Sequence, residues 1–159
     1  MSVKAGDQIP DATLKVMGEK GPKDVTTKEL FAGKKVVLFA VPGAFTPTCS
    51  AAHLPGFVAN ADKIKAKGVD SIICVSVNDA FVMDAWGKDK NAGELIMAAD
   101  GNGEFAGAMG LSFDGSSFGM GTRSQRYALI AEDGKITTLN VEQPGKFEVS
   151  SGEAILAAL

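Results

Sequence analysis

The sequence predicts an α/β fold in which a central mixed sheet is flanked by helices. Three observations carry this reading. Two near-continuous apolar runs, "KKVVLFAV" (34–41) and "VDSIICVSV" (69–77), have the β-branched composition of strands buried on both faces. Segments with helical spacing lie between and after them, so part of the sheet must be parallel. A late pair of alternating strands, 125–142, joined at "EDGK", reads as a hairpin that adds antiparallel strands.

Each element follows from local chemistry. "DATLKVMG" (11–18) alternates apolar and polar residues and predicts an early strand at a sheet edge. "TTKELFAG" (26–33) begins with a capping box, Thr26 to Glu29, and stops at Gly33, the pattern of a short helix. From Cys49 to Lys67, Leu54, Phe57, Val58, Ala61 and Ile64 form one helical stripe, with a kink or break expected at Pro55. Asn78 and Asp79 can cap the next helix, "AFVMDAWGKD" (80–89). "ELIMAAD" (94–100) reads as a strand, "GEFAGAMG" (103–110) as a short helix, and 111–124 as a Gly/Ser-rich loop. Ser150 and Glu153 form a second capping box before the terminal helix, 152–159. This order suits a thioredoxin-like sandwich: a strand feeds a helix whose first turn carries a cysteine, and βα units and a final hairpin and helix follow. A flavodoxin-like fold fits the first half but not the hairpin.

The bulk properties narrow the function classes. A chain of 159 residues suits one domain, 1–159, and its 19 glycines are spread as punctuation between short elements. A net charge of −3 argues against a nucleic-acid partner. No apolar run approaches the ~20 residues that span a bilayer, so no membrane association is expected. The stretch "MSVKAGDQIPD" has neither the apolar core of a signal peptide nor the Arg-rich character of a transit peptide. A cytoplasmic, reducing setting is therefore expected, although a removed organellar presequence would leave no trace. Two cysteines and one histidine are too few, and wrongly spaced, for a structural metal site or a disulfide scaffold. No metal and no cofactor are expected.

The stretch "AVPGAFTPTCSAAH" (40–53) concentrates the chemistry. It places Cys49 at the start of a helix that follows a buried strand. Unpaired N–H groups and the positive end of the macrodipole both favour thiolate over thiol at such a place. A buried, inert cysteine is the competing reading. Thr46, held extended by Pro47, offers a hydroxyl to whatever approaches the sulfur, or is an ordinary turn residue. Pro42 either walls the sulfur from water without a competing N–H or simply ends the strand.

Pro42, Thr46 and Cys49 spell P-x-x-x-T-x-x-C, which resembles the active-site motif of the peroxiredoxins. The wider string "VPGAFTPTCSAAHLPGF" resembles the atypical type II subfamily that groups with peroxiredoxin-5, and "VSVNDAFVMDAW" and "GMGTRSQRYAL" extend the likeness along the chain. The resemblance implies a thiol-dependent peroxidase acting on hydrogen peroxide and alkyl hydroperoxides. Cys49 would attack the peroxide and become a sulfenic acid. Thr46 would hydrogen-bond the peroxide, Pro42 would shield the sulfur, and the backbone N–H groups of Thr48 and Cys49 would bind the second oxygen. The family's catalytic arginine maps onto Arg126, at the head of an otherwise apolar strand; Arg123, in the glycine-rich loop, is expected in solvent.

His53 lies four residues after Cys49 and is read as bonding nearby backbone or packing under the loop. Cys74 is either a resolving thiol or an inert core residue. In the second case glutathione and glutaredoxin, or thioredoxin, would recycle Cys49. The resemblance also implies a homodimer. Phe45, Phe81 and Phe118 are candidates for pocket walls or a dimer face, with Trp86 read as core. Two rival readings remain. A thiol–disulfide oxidoreductase would need C-x-x-C where position 46 is threonine. A non-catalytic thioredoxin-like binding or redox-sensing module would keep the motif for packing alone.

Overall fold

The computed structural model describes residues 2–159. It opens with a hairpin: β1 (Thr13–Gly18) and β2 (Gly21–Thr26) pair antiparallel from Thr13↔Thr26 to Gly18↔Gly21. The early strand was expected at an edge, but β2 covers it. "GPKDVT" is largely exposed and polar, so no hydrophobic period marks it as a strand. Helix α1 (Thr27–Phe31) follows with the expected box: Thr26 Oγ1 accepts from the Glu29 N–H at 3.1 Å, and Glu29 Oε1 accepts from the Thr26 N–H at 3.1 Å.

The remaining elements are β3 (Lys35–Val41), α2 (Leu54–Ala66), β4 (Ser71–Ser76), α3 (Ala80–Asp89), β5 (Ile96–Ala99), α4 (Glu104–Met109), β6 (Ser112–Asp114), β7 (Thr122–Ser124), β8 (Tyr127–Glu132), β9 (Lys135–Val141) and α5 (Gly152–Ala158). The main sheet has the order β2-β1-β5-β4-β3-β8-β9. Its centre, β5, β4 and β3, is parallel, and β1, β8 and β9 run antiparallel to their neighbours. This is the mixed, helix-flanked, thioredoxin-like sheet that the sequence predicts. The β8–β9 hairpin turns through Asp133 (φ 50°) and Gly134 (φ 78°), the positive-φ pair that suits a right-twisted hairpin. Within 111–124, read from sequence as loop alone, β6 and β7 form a small ribbon of their own.

Side-chain alternation divides the central strands between two cores. Val37, Phe39, Val41, Ile72 and Cys74 face α2, α3 and α5, where they meet Leu54, Phe57, Met83, Trp86 and Ile155. Val36, Leu38, Ala40, Ile73 and Val75 face the other side, with Leu30, Phe31, Phe105 and Met109. Both faces are dry, which is why these strands read as continuous apolar runs.

Two further expectations need correction in detail. The kink or break expected at Pro55 is a change of helix type rather than a stop. The chain is already helical at Pro47, and a π-turn at Cys49–His53, in which the Leu54 N–H bonds the Cys49 carbonyl, leads into α2. Proline lacks an N–H, and its ring would strike the carbonyl four residues back in a regular helix; the wider turn shifts that register. The second correction is at α5, whose cap is Ser151 rather than Ser150: Ser151 Oγ accepts from the Ala154 N–H at 3.1 Å. The Ser150 hydroxyl instead donates to Glu142 at 2.7 Å.

Helix α5 rests on α2 through two glycines. A Cβ on Gly152 would lie 2.7 Å from the Gly56 carbonyl oxygen, a backbone atom that cannot swing away. Gly107, exposed on α4, has nothing within 4 Å of its Cβ position. Gly152→Ala should therefore lose about 1–3 kcal/mol of stability by overpacking. Gly107→Ala should gain about 0.5–1 kcal/mol from helix propensity. Urea unfolding of both variants checks the pair.

Candidate active site

Strand β3 ends at Val41, and its pairing with β8 aligns Ala40 with Tyr127. That register brings Arg126, one residue before Tyr127, to the same end of the sheet as the loop after β3. The loop is held by short polar contacts. The Ala44 N–H donates to Asn78 Oδ1 at 2.9 Å, and Ser76 Oγ donates to the same oxygen at 2.6 Å. Asn78 thus anchors the loop while Asp79 alone caps α3, its carboxylate accepting from the Val82 N–H at 2.8 Å. Thr46 Oγ1 donates to the Gly43 carbonyl at 2.6 Å. Between these anchors Phe45 is held at φ 64°, a conformation rare for a bulky residue. The Ser50 N–H bonds the Thr46 carbonyl at 2.9 Å, so the N–H groups of Thr48 and Cys49 lie in the first helical turn, without intrahelical partners.

Cys49 is fully buried. Arg126 forks across it: Nη2 donates to Cys49 Sγ at 3.2 Å, and Nη1 lies 2.8 Å from His53 Nδ1. A guanidinium can only donate, so Nδ1 is the acceptor and the ring proton sits on Nε2. That proton is donated to the Ser150 carbonyl at 2.8 Å. Burial, reinforced by the Arg126 charge, pushes the His53 pKa down to about 3, so the ring is neutral. It packs against Phe39, Phe57 and Phe147, and the Phe147 ring also lies 5.8 Å from the Arg126 guanidinium carbon. The sequence reading gave His53 a backbone partner or a packing role. Both are present, but its contact with Arg126 spans 73 residues and no local pattern announces it.

The other candidates fall around this centre. Pro42 and Thr46 are half-buried in the loop and Thr48 is exposed. Arg123, expected in solvent, is half-buried: Nε donates to the Met120 carbonyl at 2.9 Å and Nη1 to the Pro42 carbonyl at 3.4 Å. It is drawn in because a bare carbonyl at the end of β3 needs a donor. Cys74 sits in β4 between Phe39 and Met97, on the same core face as Cys49. Both thiols are free, and burial, with Cys49 nearby, pushes the Cys74 thiol well up, so it stays protonated. Trp86 is buried, and its Nε1–H donates to Ser50 Oγ at 3.0 Å, tying α3 to the cysteine-bearing turn. Phe45, Phe81 and Phe118 are exposed by 51%, 66% and 73%. A cleft of about 560 Å³ along α3 and β5, lined by Met17, Asp84, Lys88 and Met97 among others, contains none of these site residues. Among the described residues no group of three His, Cys, Asp or Glu is placed to hold a metal ion.

Residues 4–156 match the family described as Redoxin. The chain is 50% identical to Peroxiredoxin-2E, chloroplastic, of Arabidopsis thaliana over 99% of its own length and 70% of the relative's. It superposes on the crystal structure of reduced Prx3 in complex with H2O2 from Vibrio vulnificus with a TM-score of 0.95 at 59% identity, covering 98% of both chains. Peroxiredoxin 5 from Alvinella pompejana is 37% identical with a TM-score of 0.87, over 98% of this chain and 97% of that one.

His53 is the only histidine, so its titration can be followed without assignment ambiguity. Its ring resonances should not move between pH 5 and 8. The unfolded chain takes up this proton near pH 6.5 and the folded one only near 3. Between those values the unfolded state binds more protons, so stability rises with pH, by up to about 1.4 kcal/mol per unit from this group. A ring titrating near 6.5 in the native protein would contradict the contact with Arg126.

Proposed function

Because this chain belongs to the redoxin family, as a type II peroxiredoxin and hence a thiol-dependent peroxidase, we propose that Cys49 is the thiol that attacks the peroxide. The observation that carries this is the Arg126 fork, which sets a permanent positive charge 3.2 Å from a buried sulfur at a helix start. The Cys49 thiolate attacks the nearer peroxide oxygen. The O–O bond breaks, the sulfur becomes sulfenic acid, and the leaving oxygen takes a proton to depart as water or an alcohol.

Charge builds on the leaving oxygen during this step, and donors already in place lower its energy. Arg126 and the N–H groups of Thr48 and Cys49 fill that role. Thr46 has its own proton committed to the Gly43 carbonyl, so its lone pairs are left to accept from the peroxide O–H. Pro42 contributes a wall without a donor. Arg123, bonded to the Pro42 carbonyl, and Asn78 hold that loop in place.

Hydrogen peroxide and small alkyl hydroperoxides are the proposed substrates. The sulfenic acid then condenses with an external thiol, releasing water, and a second thiol reduces the mixed disulfide. Glutathione with glutaredoxin, or thioredoxin, supplies these thiols. Cys74 would serve as an internal resolving thiol only if β4 opened, because its strand is paired on both sides. Exposed Phe45, Phe81 and Phe118 support a homodimer built near the site. We read residues 1–159 as one catalytic domain. Two free thiols suit a reducing compartment, the cytoplasm in the first instance. Among the described residues no helix is long and apolar enough to cross a membrane.

Stopped-flow mixing of fully reduced protein with hydrogen peroxide, followed by intact mass, tests this. Cys49→Ser should abolish rapid oxidation, and Arg126→Gln should slow it by about 10²–10³-fold, as for loss of a transition-state donor. Cys74→Ser should oxidise at the wild-type rate and, like wild type, form a mixed disulfide with added glutathione. A disulfide that forms in wild type and is lost in Cys74→Ser would instead make Cys74 the resolving thiol. Wild type reacting no faster than a free thiol would leave the motif to packing or binding.

A further inference from the structure

Beyond the site lies a buried carboxylate that the chemistry above does not use. Glu142 follows β9 and is 6% exposed. Its Oε2 accepts four hydrogen bonds: from the N–H groups of Glu148 (2.8 Å), Val149 (2.9 Å) and Ser150 (2.8 Å), and from Ser150 Oγ (2.7 Å). Three successive backbone N–H groups converging on one oxygen make an anion nest, here filled by the chain's own side chain. Burial pushes the carboxyl pKa up, but these donors outweigh it and hold the value below the ordinary carboxylate range, so Glu142 is charged.

What the nest fixes is the segment 143–150, which has no helix or strand of its own. That segment supplies two parts of the site. Phe147 packs on both the His53 ring and the Arg126 guanidinium, and the Ser150 carbonyl accepts the His53 Nε2 proton. The Glu142 N–H also bonds the Arg126 carbonyl at 2.9 Å, so the same residue ties the arginine's backbone to the loop. A continuous line of contacts therefore runs from Glu142 through Ser150, His53 and Arg126 to Cys49 Sγ.

We infer that Glu142 is a positioning residue for the peroxidase site: its carboxylate, by closing the 148–150 nest, sets the Ser150 carbonyl that orients His53 and, through it, the Arg126 fork on Cys49. This rests on the reading of Cys49 as the attacking thiol. Glutamine in place of Glu142 keeps the size but presents a neutral oxygen and an NH₂ group to a ring of donors. The loop then loosens and the His53 ring loses its fixed acceptor.

The test is a double-mutant cycle with a spectroscopic arm. Glu142→Gln should slow Cys49 oxidation by hydrogen peroxide about 10-fold, the size expected for a displaced orienting contact. In a His53→Gln background the same change should alter the rate less than twofold, because the line is already cut. In the NMR arm, the Nε2–H of the single histidine, held by the Ser150 carbonyl in wild type, should exchange with solvent faster in Glu142→Gln. Ser150→Ala, which removes one donor of the four, provides a milder variant in case Glu142→Gln does not fold, with a two- to fivefold slowing expected. An unchanged rate in the folded variants, or a full 10-fold loss in the His53→Gln background, would overturn the inference. If wild type itself fails to outpace a free thiol, the peroxidase reading falls instead, and the exchange of the histidine ring N–H alone decides whether Glu142 orients the ring.

Discussion

The contact on which the site depends is the fork of Arg126, with one nitrogen 3.2 Å from Cys49 Sγ and the other 2.8 Å from His53 Nδ1. Neither partner is a carboxylate. The nearby acid, Glu142, has its charge absorbed by the loop N–H groups, which leaves the guanidinium free to face the sulfur. A neutral imidazole with its proton on Nε2 is the right neighbour, because it offers a lone pair without offsetting the charge. Burial keeps it neutral, and the aromatic box of Phe39, Phe57 and Phe147 supplies that burial.

The fork can be this exact only because the strands beneath it cannot slip. Strand β3 has a dry core on each face, and β8 pairs with it from Lys35↔Glu132 to Ala40↔Tyr127. A shift of one residue would send every side chain of β8 to the wrong core. The position of Arg126 is therefore fixed by the packing of Leu129 and Ile130 as much as by its own contacts. At the other end of the fork, the π-turn at Cys49–His53 carries both partners of the arginine and absorbs the demand of Pro55. Irregular helix and positive-φ loop fall together beside the sulfur that the arginine faces.

Rigidity of a different kind surrounds the centre. Asn78, Arg123 and Glu142 are polar groups whose partners are mostly backbone atoms of two irregular segments, the loop at 42–46 and the segment at 143–150. Loops lack a ladder to satisfy their N–H and C=O groups, so side chains from neighbouring elements do it. Here the arrangement turns two loops into fixed walls around the Arg126 fork, and it links the fork's geometry to residues that do not contact Cys49.

Much of this protein was legible in the sequence. Period and composition located both buried strands, the hairpin at "EDGK", and helices α1, α2 and α3. The capping box at Thr26 and the cap at Asp79 were visible because capping is a matter of three or four adjacent residues. The motif around Cys49 was equally local. What escaped was what depends on partners far along the chain. Strand β2 exists because β1 offers it an edge, and its own polar residues carry no signal. Ser150 lost its capping role to Ser151 because Glu142 had claimed its hydroxyl. Arg123 left solvent for the Pro42 carbonyl across 81 residues, and His53 found Arg126 across 73 and Ser150 across 97. The sequence by itself determined the central strands, most helices and the placing of Cys49 at a helix start, since those follow from neighbours in the chain. The resemblance pointed to Arg126, but only the tertiary structure decided that its fork spans Cys49 and His53 and what holds it there, because sheet register and loop closure bring those groups together and no local pattern encodes either.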